Sequence, residues 1–204
     1  MRCNEPCLPL GKIMDSTASL PTEFQKHYSQ AVCAPRPRDV KWKPPTEAMI
    51  WKTNFDRAMF LESDQAEIGV VVRNQASQVM AALSERIQKP NSAEILEALA
   101  TRRAIQFSLE LGFKQSVFEG DLEFIIKALD NEVFPSPSVG HIVKDIWSMS
   151  GLLQTKSFSY VRRQDNSVAH ALAQRARFSF PVLVWMEDVP PDILRFVSTD
   201  FPSF

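Results

Sequence analysis

Between Glu97 and Asp121 the chain reads EALATRRAIQFSLELGFKQSVFEGD, and few structures accommodate that pattern. Leu96, Ala100, Ala104, Phe107 and Leu111 recur at helical spacing and make one apolar stripe. Glu97 lies beside the stripe, since Ala100 and Ala104 follow it on the same helical face, so an ionisable carboxylate is directed toward the buried side. Asn91, after Pro90, is expected to cap this helix, with Glu94 three residues on as in a capping box. Gly112 is expected to end it in the left-handed conformation that Gly adopts cheaply. Residues 116 to 119 then read as a strand, and Asp121 follows Gly120 where another helix, 122 to 129, begins. Two carboxylates near the carboxyl end of a strand are a recurrent setting for metal chemistry in open α/β sheets. The same residues also have a plainer reading, with Asp121 as a helix cap and Glu97 as a rim charge.

Upstream, residues 50 to 55 read as a strand, with Trp51, Thr53 and Phe55 on one face and Lys52, Asn54 and Asp56 on the other. The apolar run IGVVVR at 68 to 73 suits a central strand, and 78 to 86 reads as a third after a turn at 74 to 77. Short connections make these three an antiparallel meander, and the helical crossover that follows predicts a parallel strand next. Pro135 and Pro137 mark 130 to 140 as a loop, followed by a helix at 143 to 149 and a strand at 157 to 162. Asn166 or Ser167 is expected to cap a last helix, 168 to 177, with Ala169 and Leu172 inward. The order β-β-β-α-β-α-α-β-α predicts an α/β fold: a mixed five-stranded sheet, three antiparallel strands then two parallel, flanked by helices.

The boundaries follow from composition. Residues 1 to 46 hold half of the 14 prolines and no sustained period, and are expected to be a flexible linker with a short helix at 22 to 31. The folded domain is expected over 47 to 179, and 180 to 204 form an apolar tail that either docks on the domain or serves a partner. Cys3, Cys7 and Cys33 precede the domain, are odd in number and lack a neighbouring His pair, so free thiols are expected rather than disulfides or zinc. The N-terminus has no continuous apolar core of a signal peptide and no run approaches 18 apolar residues, so an intracellular, soluble, monomeric protein without membrane contact is expected. A net charge of -1 gives no global pull toward polyanions, so any nucleic-acid binding must come from a local patch.

Five segments in order, NFDRA at 54 to 58, IGVVVRN at 68 to 74, EALATRRA at 97 to 104, ELGFKQSVFEGDLE at 110 to 123 and VRRQDNSVAHALA at 161 to 173, resemble a ribonuclease H domain of the plant reverse-transcriptase-like, retroelement-related type. WKPP at 42 to 45 and DVPP at 188 to 191 match the same plant subgroup. The resemblance is close over 42 to 178 and loose elsewhere. It implies a hydrolase, an endonuclease that binds nucleic acid and cleaves the RNA strand of RNA–DNA hybrids, leaving a 3′-hydroxyl. It also implies Mg²⁺, with Mn²⁺ as the alternative. Carried over by residue, Asp56 would be the central carboxylate bridging two metals, with Glu97 and Asp121 as further ligands and His170 in the fourth position. Glu94 is a rival to Glu97, but the spacing to ELGF and GD and the inward face favour Glu97. Such chemistry needs hard oxygen ligands around two cations about 3.5–4 Å apart, which activate a water and stabilise the leaving oxygen.

Three departures bear on that implication. His170 stands where the family usually has Asp, a change that weakens Mg²⁺ and favours Mn²⁺ or Zn²⁺. Arg57 stands where it has Gly, either crowding the substrate or contacting a phosphate. The loop from Arg162 to Asn166 lacks the His that many bacterial-type members carry. Lys156, Arg162, Arg163, Arg175 and Arg177 offer a possible phosphate track, with Asn54, Arg57, Arg162 and Arg163 the expected nucleic-acid contacts. Trp42 and Trp51 are read as anchors in preference to base-stacking platforms. The first reading is thus a hybrid-cleaving domain, and the alternative is a catalytically degenerate module kept for nucleic-acid or protein binding.

Overall fold

The computed structural model describes residues 42–47, 49–60, 64–121, 123–130, 137–178 and 181–200. The expected linker up to residue 41, its short helix, the three cysteines, Phe201 and Phe204 lie outside them. Three strands come first: β1 (Trp51–Met59), β2 (Gln65–Arg73) and β3 (Val79–Gln88). Helix α1 (Ala93–Glu110), strand β4 (Gln115–Gly120), α2 (Glu123–Asp130), α3 (Pro137–Ser150) and β5 (Thr155–Tyr160) follow. A 3₁₀ turn, Arg163–Asn166, leads into α4 (Ser167–Arg175), and β6 (Val182–Met186) and α5 (Leu194–Asp200) come last.

The strands form one mixed sheet in the order β5-β4-β1-β2-β3-β6. The antiparallel meander and the two parallel strands stand as expected. The sheet has six strands rather than five, because the segment read as an apolar tail contributes β6, antiparallel to β3. Val182–Met186 is rich in β-formers, and the free edge of β3 presents a row of unpaired backbone groups that such a segment satisfies.

Helices cover both faces, so β2 is buried almost end to end and reads as a continuous apolar run. Ile68, Val70 and Val72 join Phe55, Phe107, Phe118 and Ile142 in the larger core, on the side of α1 and α3. Val71 and Ala82 meet Val168, Leu172, Ile193 and Val197 on the side of α4 and α5. Gly69 sets the height of α4: a Cβ there would lie 2.2 Å from the Ala169 carbonyl oxygen and 2.3 Å from the Ala173 nitrogen. The helix backbone rests directly on β2, and the Ser84 hydroxyl donates to the Leu172 carbonyl at 2.8 Å.

Several local boundaries differ from the sequence expectations. Ser92, not Asn91, caps α1, its hydroxyl accepting from the Ile95 amide at 3.2 Å. Ile95 rather than Glu94 then fills the third helical position, so there is no capping box. Helix α3 begins at Pro137, inside the expected loop, because Pro suits the first helical position, where its missing N–H costs nothing. Asn166 makes no side-chain cap to α4, and the 3₁₀ turn takes up the entry to that helix. Strand β1 runs on to Met59, because β2 offers partners as far as Ala66. Gly112 does end α1 with φ of 78°.

Candidate acidic site where β1 outruns β4

Strand β4 pairs with β1 only from Trp51 to Asn54, the last partner being Glu119. Continuing that register by two residues brings Asp121, just past the end of β4, level with Asp56. Asp56 therefore sits within β1, paired with Gly69 on one side and open on the other. Glu97 arrives from the first turns of α1, whose position over β1 is held by a hydroxyl pair, Thr53 with Ser108 at 3.1 Å. His170 arrives from α4, which the missing Cβ of Gly69 lets approach.

The polar contacts are specific. The Arg57 guanidinium Nε donates to Glu97 Oε2 at 2.7 Å, and the Arg57 backbone N–H donates to Asp56 Oδ1 at 2.7 Å. His170 Nδ1 lies 2.7 Å from Asp56 Oδ2, and its Nε2 lies 3.0 Å from Arg163 Nη2. A guanidinium can only donate, so Nε2 accepts and the proton on the ring belongs to Nδ1, directed at Asp56. Asn166, missed as a positioning residue, donates from its amide to the Phe55 carbonyl at 2.8 Å and pins the entry of α4 beside Asp56. Its only signal in the sequence was its place in the NSVAHALA segment.

The electrostatics show a surplus of negative charge. Burial pushes the Glu97 carboxyl up to about 7, with Asp121 and Asp56 adding to the rise and Arg57 opposing it. Asp121 is also raised, first by burial and then by Asp56, while Arg57, Arg163 and its own backbone N–H pull it back. The charge of this set suits a cation, but the arrangement does not fit a metal ion. Among the described residues no group of three or more His, Cys, Asp or Glu side chains stands together as a metal site requires. Arg57 already engages Glu97, and both His170 nitrogens meet protein groups.

The other expected contacts divide between interior and surface. Asn54 is fully buried, donating to Glu119 at 3.0 Å and accepting from Trp42 at 2.9 Å and Arg73 at 3.0 Å, so its amide is used inside the fold. Trp42 is an anchor for the entering chain, and Trp51 packs on Phe113 with ring centroids 4.7 Å apart. The basic residues do not make one track. Lys156 donates to Ser150, Arg175 pairs with Asp192, and Arg177 lies over the Phe60 ring. Arg162 and Arg163 remain exposed on the 3₁₀ turn beside the acidic set. Glu94 lies outside the buried face, whereas Glu97 is within it.

Comparison with known proteins agrees with this architecture. Residues 54–176 match the model of the reverse transcriptase-like family. No curated protein matches the chain. The fold is similar to that of RNase H1 from the halophilic archaeon Halobacterium salinarum (21% identity, 63% of this chain and 97% of that one, TM-score 0.58). It is similar to the N-terminal RNase H domain of a Mycobacterium tuberculosis protein (17% identity, 62% and 92% covered, TM-score 0.56). It is also similar to LC11-RNase H1, from a compost metagenome, in complex with RNA/DNA hybrid (18% identity, 61% and 94% covered, TM-score 0.54). Among the described residues no helix is long and apolar enough to cross a membrane. With the family model spanning most of the sheet and all four residues of the acidic set, the chain belongs to the reverse transcriptase-like family and carries a ribonuclease H fold.

Proposed function

We propose that this domain binds nucleic acid, with an RNA–DNA hybrid as its ligand, across the open end of β1. The observation that carries the reading is the pairing of Asp56 with His170 and of Glu97 with Arg57 at the end of β1, with Arg163 on His170 and the charges of Asp56, Arg57 and Arg163 felt at Asp121. The exposed Arg162 and Arg163 supply cations for backbone phosphates at that end. The hybrid bound by the LC11 enzyme of the same fold supports this choice of ligand. Fluorescence anisotropy with a labelled hybrid, a DNA duplex and an RNA duplex at two salt concentrations tests it. Binding should favour the hybrid, weaken with salt, and fall about tenfold or more when Arg162 and Arg163 are both replaced by Ala. Equal, salt-insensitive or absent binding by the folded protein would remove the reading.

A second reading is metal-dependent hydrolysis of the RNA strand, with Mg²⁺ or Mn²⁺ on Asp56, Glu97 and Asp121 and His170 in an auxiliary role. It is favoured by the raised Glu97 and Asp121 carboxyls, which mark a set short of positive charge. The ion pair of Arg57 with Glu97 ranks it below binding. Cleavage of labelled hybrid in each metal, lost in Asp121→Asn, would reverse that ranking. WKPP and DVPP favour a plant, retroelement-derived lineage for either reading.

A further inference from the structure

We propose that the outer edge of β6 is a docking surface for a second copy of this chain, the two β6 strands pairing antiparallel about Val184. Strand β6 ends the sheet, and among the described residues no strand pairs with its outer side. It lies beyond residues 54–176, so this edge is an addition of the present chain to the part that matches the family. On the α4 side Trp185 packs into the smaller core. On the α1 side nothing covers the strand. Arg103 of α1 reaches only as far as Glu85 of β3, the residue beside Val182. Val182, Val184 and Met186 therefore make an apolar stripe on that side, 46%, 46% and 54% exposed.

The backbone is open at the same three residues. The Glu187 N–H donates to the Met80 carbonyl at 2.9 Å, and the Arg86 N–H donates to the Pro181 carbonyl at 2.7 Å. In an antiparallel ladder the direction alternates by residue, so Leu183 and Trp185 also turn to β3. The N–H and C=O groups of Val182, Val184 and Met186 then point to the free side. Natural edges are guarded by charges, prolines or bulges. Val182–Met186 contains none of these, and its register with β3 is unbroken.

The occupant follows from self-complementarity. With Val184 opposite its own copy, Val182 comes opposite Met186, and each of these pairs can exchange both backbone bonds. The apolar stripes meet on one face, which is the pattern of a two-fold interface. Glu187 of one copy comes level with Pro181 of the other, beyond which lies Arg86, so no like charges oppose there. The acidic set is on β1, with β2 and β3 between it and β6, and stays open in both copies. One short edge makes a small interface, so a dissociation constant on the order of 10 µM is expected.

The inference goes beyond the nucleic-acid reading and does not rest on it, since the measurement contains no nucleic acid. Sedimentation velocity of the full chain from about 1 to about 200 µM should show a monomer giving way to twice its mass. Val184→Lys sets two ammonium groups against each other on the axis and should weaken association about tenfold or more, as should Val184→Glu. An equal mixture of the two variants should recover the doubled mass, because only the mixed pair places opposite charges together. Val184→Pro should also stay monomeric, since it removes an outward N–H that β3 does not use. Circular dichroism and melting temperature confirm that each variant is folded, and the Lys and Glu variants carry the test if Pro unfolds the strand. A natural chain that stays monomeric throughout would overturn the proposal and leave the edge to a different protein. A dimer unchanged by Val184→Lys, or variants that do not recover on mixing, would overturn it as well.

Discussion

Strand β1 feeds two polar clusters only two residues apart, and they are built on opposite terms. At Lys52 and Asn54 the charges are matched. Lys52 meets Glu119 at 2.8 Å and Arg73 meets Asp200 at 2.7 Å, with the Arg73 guanidinium 3.5 Å from the centre of the Trp42 ring. Burial pulls Arg73 down from its usual range, and Asp200 and Glu119 hold it up. At Asp56 and Arg57 three carboxylates share the cations that reach them, and two of those carboxylates are raised. The matched cluster ties the entering segment at Trp42 and the last helix α5 to the sheet. The unmatched one leaves the Glu97 and Asp121 carboxyls raised by burial and by their neighbours, which supports reading it as a site rather than a strut.

Mutations should separate the two. Arg73→Ala leaves Asp200 buried without its guanidinium, takes one of two donors from the Asn54 carbonyl and bares the Trp42 ring, and should cost about 3–5 kcal/mol in urea unfolding. A loss under 1 kcal/mol would break the comparison.

The next effect is a pH dependence. Glu97 moves from 4.5 to about 7 on folding, so the folded chain holds this proton more tightly than the unfolded one. Its contribution is fully present below 4.5 and is lost as pH rises through about 7, a span of roughly 3 kcal/mol at 1.36 kcal/mol per pKa unit. Unfolding across pH 4 to 8.5 should show that decline, and Glu97→Gln should flatten it.

Smaller still, Trp42→Phe keeps the ring under Arg73 but deletes the indole N–H to Asn54, and should cost about 1 kcal/mol. The smallest expected change has the opposite sign. Asp121→Asn relieves repulsion with Asp56 and Glu97 and should raise stability at pH 8 by about 0.5–1 kcal/mol, read as a higher urea midpoint. If it lowers stability instead, the acidic set is a strut after all.

Much of this protein was already legible as pattern. The stripe through Ala100 and Ala104, the turn at Gly112, the alternation along β1 and the inward-facing Glu97 follow from periods of 3.6 and 2, which neighbouring residues set among themselves. The family came instead from resemblance, carried by five ordered segments from NFDRA at 54 to 58 to VRRQDNSVAHALA at 161 to 173. What the pattern left open was every relation between distant segments. Asn54 and Asp56 share a face of β1, yet Asn54 lies where β4 covers the strand and Asp56 lies past its end. Arg57 in place of Gly was visible, but its seat on Glu97 depends on a distance spanning 40 positions. The contact of His170 with Asp56 depends on how close α4 can lie to Gly69. The edge of β3 that β6 closes exists only once the meander has formed. Periodicity tells a residue which way to face, whereas strand register and helix height decide what it meets there. Whether a carboxylate is compensated depends on the second of these, because a charge interaction falls off over the few ångströms that only packing sets.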